Sequence, residues 1–171
     1  LFFNLNVSTK IAVILLSLIS ILYPFGLRNT PYLKIFLIAA SWSISTVLLT
    51  YFENNLLIDQ RFYLEIFARF FFILGITIPF DIRDLKFDNR KLKTIPIVFG
   101  FTDSKKIALF FLFIYILISS YVYLFTNFNL SYLLATFFCF LYSAYLVNNL
   151  KANSSIFYYS FWLESCSISL L

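Results

Sequence analysis

Six apolar runs, at roughly 11–24, 35–52, 62–80, 107–125, 130–147 and 156–171, leave this chain few ways to fold. A helix needs about 20 mostly apolar residues to cross the hydrocarbon core of a bilayer, and most of these runs approach that length. None alternates residue by residue between regularly spaced turns, which argues against a transmembrane β-barrel. Helix is then the spanning form that satisfies its own backbone in lipid. Composition agrees: 61% of residues are hydrophobic and only 12% charged, far from a soluble domain. The expected fold is all-α, a polytopic transmembrane bundle of about six helices. The first run is short and follows Lys10, as in a signal peptide. It lacks a small-residue cleavage site and leads into Tyr23-Pro24, so a membrane helix is the better reading.

The connections are short. Tyr23-Pro-Phe-Gly-Leu-Arg-Asn-Thr-Pro31 breaks helix between the first two runs, Thr126-Asn-Phe-Asn129 allows a tight hairpin, and 148–155 is a longer polar turn. With no repeat and no low-complexity linker, residues 1–171 read as a single membrane domain. If the runs alternate across the bilayer, Arg28, Lys34, Lys151 and the seven basic residues of 81–106 share one side. Lys10 and Arg61 stand on the other, and Arg69 lies within a run. Basic loops stay cytoplasmic, so the expected setting is an integral protein of a membrane such as the bacterial cytoplasmic membrane, with 81–106 as a cytoplasmic loop. The net charge of +5 then reflects topology and anion binding, and nucleic acid is not an expected partner.

The 81–106 window concentrates the charge. It holds Asp81, Asp84, Asp88 and Asp103 with seven Lys or Arg, beside apolar helices where charge is costly. Asp81, Asp84 and Asp88 are spaced i, i+3 and i+7, so they share one face of a continuing helix. The third run ends at Pro79-Phe80, which places this cluster at the mouth of that helix. Like charges on one face repel unless a cation sits among them. The chain has no His, and Cys139 and Cys166 read as small buried side chains. An all-oxygen donor set suits Mg²⁺, which bridges carboxylates to substrate phosphates. Arg83, Lys86, Arg90, Lys91 and Lys93 are candidates for phosphate oxygens. The bland alternative is a wet loop whose Asp and Lys/Arg side chains pair with each other.

The order Asp81-Ile-Arg-Asp-Leu-Lys-Phe-Asp88-Asn-Arg-Lys-Leu-Lys-Thr94-Ile-Pro96-Ile-Val-Phe-Gly100 resembles the second aspartate-rich motif of the UbiA family of intramembrane prenyltransferases. That motif runs D-x-x-D-x-x-x-D, a basic residue, K/R-T-x-P, then a Gly at the head of the next helix. In a nine-helix UbiA-like fold it follows the sixth helix, so this chain looks like helices four to nine. The absence of methionine and the start at Leu-Phe-Phe also predict a C-terminal piece of a longer protein.

The resemblance implies Mg²⁺-dependent transfer of a prenyl group from a polyprenyl diphosphate to an aromatic or other hydrophobic acceptor. Metal-assisted departure of diphosphate leaves an allylic cation in a site that excludes water. By the same resemblance Asp84 and Asp88 are catalytic metal ligands, with Asp81 a third. Arg90 and Lys93 contact diphosphate, and Tyr23 and Arg28 are the nearest match to a Tyr-then-basic element in the preceding loop. The segment from Asp88 to Thr94 lacks the family's usual Gly. The family's first motif, N-x-x-x-D-x-x-x-D, appears nowhere in these residues; Glu53-Asn-Asn…Asp59 has other spacing and lies on the opposite side.

A catalytically inactive UbiA-like membrane protein is therefore the second reading. A CDP-alcohol phosphotransferase fits poorly, because Leu85 stands where its motif needs Gly. A transporter is disfavoured by the lack of inverted repeats. Two further expectations concern charges inside the runs. Glu65 and Arg69, at i and i+4, should pair, and Glu164 should either line a cavity or face another helix.

Overall fold

A computed structural model describes residues 5–26, 33–85, 94–126 and 129–169, with side chains at 19–26, 33, 168 and 169 outside that description. The described residues contain six α-helices and no strand. They are α1 Val7–Gly26, α2 Leu33–Glu53, α3 Gln60–Asp84, α4 Ile95–Phe125, α5 Leu130–Asn149 and α6 Glu164–Ser169. A π-helical stretch, Tyr158–Leu163, leads into α6. By length and composition α2 to α5 can each cross a membrane. Their outward faces carry Phe67, Phe110, Leu124, Phe138 and other large apolar side chains, as a lipid-facing surface requires.

The third helix is the axis of the bundle. Over half of its apolar window, 56%, is buried, against 28–33% for its neighbours. It packs between α2 and α4, where Phe72 meets Tyr115 edge-to-face at 5.0 Å. Gly75 lets α3 and α4 approach closely, because a Cβ there would lie 2.8 Å from Leu112 Cγ.

Local chemistry sets the helix ends. Asp59, in an extended conformation, accepts the Phe62 N–H at 3.1 Å and caps α3. Asp59→Ala is expected to lower stability by about 1 kcal/mol, read as an earlier midpoint in an SDS-unfolding titration; an unmoved midpoint would mean the cap contributes nothing.

At the other end, helix continues past the boundary that Pro79-Phe80 suggested, through Pro79 to Asp84. Proline removes one i→i−4 bond and crowds the carbonyl four residues back, here that of Gly75. Packing within a membrane bundle tolerates this. The first run likewise extends beyond 11–24 into a 20-residue helix.

The fourth helix begins before the apolar run at 107, with Pro96 in its first turn, where no amide hydrogen is needed. Gly100, at φ 77° and ψ 177°, breaks it after that prelude. A side chain at such a positive φ would be strained, so glycine is the natural residue there. Lys105 then donates to the carbonyls of Asn148 (2.6 Å) and Leu150 (3.0 Å), joining the charged end of α4 to the end of α5.

The opposite end of the bundle is tied differently. Glu53 accepts hydrogen bonds from the Asn6 amide at 3.1 Å and the Thr9 hydroxyl at 2.9 Å. Arg61 pairs with Glu65 at 2.8 Å, which corrects the expected Glu65–Arg69 partnership. Arg61 sits in the first turn of α3, so pairing toward the helix end keeps the ion pair nearer the aqueous layer.

Candidate functional site

A cavity of about 680 Å³ lies between helices α2 and α3. Lys34, Ile38, Trp42 and Thr46 line it from α2. Their spacing of four makes one stripe along three turns, about 18 Å of helix axis. From α3 come Phe72, Ile76, Phe80, Asp81 and Asp84, and Glu164 reaches the same space from the start of α6. The cavity is charged at one end and apolar along its depth.

Two ion pairs organise the charged end. Asp81 lies in the last turns of α3, only 2% exposed, and accepts from Lys34 Nζ at 3.1 Å. An isolated carboxylate at this depth would be strongly unfavourable, and the Lys34 ammonium offsets its charge. One turn on, Asp84 is more open, with its side chain 31% exposed. Arg83 Nε donates to its Oδ1 at 2.7 Å, and Nη2 lies 3.4 Å from Oδ2. The guanidinium rests 5.3 Å from the Phe80 ring centre and 6.0 Å from that of Tyr159, so two aromatic faces hold it in place.

The π-helical stretch explains how Glu164 arrives here. Its wider turn keeps Tyr159 and Leu163 buried while the next residue, Glu164, borders the cavity. Tyr158 anchors this segment by donating to the Leu146 carbonyl at 2.7 Å, and the Tyr142 and Ser165 hydroxyls meet at 2.7 Å.

Of the residues singled out in the sequence, Asp81 and Asp84 are brought to one cavity, and Glu164 takes the cavity-lining alternative. Arg28, Asp88, Arg90 and Lys93 lie outside the described residues, as do Lys86 and Lys91. Tyr23 falls within α1, but its side chain is outside the description. Helix occupies both edges of the 81–106 window, up to Asp84 and again from Ile95. Lys34 was legible only as a topological charge. Its one signal was position, as the first charged residue after Pro31 at the head of a helix on the basic side.

Among the described residues no three Asp, Glu or Cys side chains gather into one ligand set. Asp84 and Glu164 nevertheless border the same space with carboxylate oxygens, donors of the kind Mg²⁺ prefers. A smaller cavity of about 380 Å³ at the far end of α3, beside Asp59 and Arg61, lacks such a pair of open carboxylates.

Comparison with known proteins gives one finding. A family model described as the UbiA prenyltransferase family matches residues 1–163. No curated protein and no solved structure matches the chain.

Proposed function

Because the chain belongs to the UbiA prenyltransferase family, we propose that it transfers a prenyl group from a polyprenyl diphosphate to an aromatic or other hydrophobic acceptor inside the membrane, with Mg²⁺. The observation that most supports this reading is the polarity gradient of the α2–α3 cavity. Carboxylates and the Lys34 ammonium stand at one end, and an apolar, aromatic-walled depth follows. An amphiphile with a polyanionic head and a hydrocarbon tail suits that gradient.

In this reading Asp84 and Asp88 hold the metal, which when bound neutralises the diphosphate and assists its departure as a Lewis acid. The residues of the chain do the remainder. Basic side chains beside the cavity take up charge on the leaving diphosphate as the allylic C–O bond breaks with its electron pair. Phe72, Ile76 and Phe80 keep water from the cation until the acceptor's carbon or heteroatom bonds to it and a proton is lost. Tyr23, Arg28, Arg90 and Lys93 belong to the same proposed diphosphate site. The basic end faces the cytoplasm under the positive-inside rule.

Binding tests this reading without knowledge of the acceptor. The full-length protein in nanodiscs is expected to retain a photoreactive polyprenyl diphosphate saturably, to lose it on chelation, and to release it to excess inorganic diphosphate. Retention insensitive to both treatments would sink the proposal. Normal Mg²⁺-dependent binding with no turnover across acceptor classes would favour the non-catalytic member of the family.

A further inference from the structure

We propose that Lys34 is a diphosphate-binding residue of this site and that Asp81 positions it, an assignment that rests on the prenyltransferase reading. Lys34 stands in the first turn of α2 and reaches across to the last turns of α3, where Asp81 Oδ1 lies 3.1 Å from its ammonium nitrogen. Both residues line the cavity, yet they differ sharply in access. The Asp81 side chain is 4% exposed and that of Lys34 is 22%.

That asymmetry separates their roles. A carboxylate so enclosed, with an ammonium already against it, is poorly placed to give oxygens to a dication as well. Asp84, one turn further on, is also paired, with Arg83 at 2.7 Å, but its side chain is 31% exposed and so within reach of a dication. The Lys34 ammonium carries three donors, one of them engaged by Asp81, and it stands among the charged residues that line the cavity. It also heads the stripe that continues through Ile38 and Trp42. One helical face therefore presents a cation first and an apolar wall next, in the order that a diphosphate head and prenyl tail require. In a site shielded from water, attraction between this ammonium and a polyanion is much stronger than at a surface.

The test uses the full-length protein in nanodiscs and a non-reactive farnesyl thiodiphosphate, with farnesol as the uncharged comparison. Lys34→Met is expected to weaken thiodiphosphate binding roughly tenfold or more, the scale of one charge-assisted hydrogen bond, and to leave farnesol binding unchanged. Asp81→Asn is expected to weaken thiodiphosphate binding without changing the Mg²⁺ concentration for half-maximal binding. Lys34→Met/Asp81→Asn, which removes both charges of this pair together, should bind no more weakly than Lys34→Met alone. Unchanged thiodiphosphate binding in both Lys34 variants, or a raised Mg²⁺ requirement in Asp81→Asn, would overturn the assignment. Failure of the unmodified protein to bind the thiodiphosphate would instead remove the prenyltransferase reading itself, and this assignment with it.

Discussion

Asp84→Asn is expected to reduce prenyl transfer by roughly 10²–10³-fold, the usual loss when one preorganised electrostatic group is removed from a site of developing charge. Asparagine keeps the size and shape of the side chain, so packing around the end of α3 should survive. What disappears is the negative charge. Asp84 holds the Arg83 guanidinium at 2.7 Å, and that guanidinium also rests against Phe80 and Tyr159. The aromatic contacts keep Arg83 close after substitution, so the local field becomes more positive and less able to retain a divalent cation. Diphosphate release from a polyprenyl diphosphate at saturating Mg²⁺ reads the effect. Asp103→Asn is the matched control, because Asp103 forms an exposed pair with Lys106 at 2.8 Å. Such surface pairs contribute little, and its loss should leave the rate unchanged. A near-native rate in Asp84→Asn would exclude Asp84 from the reaction.

The second large effect lies in the core. Gly75→Val should destabilise the bundle by about 1–3 kcal/mol, the usual range for an overpacked interior. A Cβ at this position meets Leu112 Cγ at 2.8 Å, Leu112 Cδ2 at 2.9 Å and the Ala108 carbonyl oxygen at 3.1 Å. Leu112 can turn away only into a fully buried environment, and the Ala108 carbonyl belongs to the α4 backbone. Helices α3 and α4 must separate, and the Phe72–Tyr115 contact one turn away loosens with them. Leu112→Ala alone opens a cavity and is itself destabilising. Combined with Gly75→Val it should recover part of the loss, because the new methyl groups occupy the vacated space. An SDS-unfolding titration of the two single variants and the double variant measures this coupling. Strictly additive losses would show that the 75–112 contact does not limit helix approach.

The membrane helices were legible because lipid leaves the backbone no alternative: a long apolar run must satisfy its own hydrogen bonds as helix. The shared face of Asp81 and Asp84 was legible for the related reason that helical periodicity is local. Order along the chain also carried the family resemblance, since D-x-x-D-x-x-x-D followed by K-T-x-P is read without coordinates.

Continuation of α3 through Pro79 was legible only as the condition for that shared face, because proline's penalty is local while the packing that tolerates it is supplied by neighbouring helices. The choice of Arg61 over Arg69 as the partner of Glu65 was not legible, since both stand four residues away and only the surroundings separate them. Lys34 and Asp81 lie 47 residues apart, and nothing in either segment specifies the other. Helix α2 is apolar on nearly all sides, so its sequence carries little sign of which stripe turns inward.

The sequence by itself determined that this chain is a helical membrane protein of the UbiA family with carboxylates and basic residues concentrated in one short window between apolar runs. Only the tertiary structure decided that α2 brings Lys34 to Asp81, that a π-helical turn delivers Glu164, and that these charges head an apolar cavity. Covalent order encodes backbone satisfaction and periodicity within a helix. The meeting of side chains on different helices depends on how their surfaces pack.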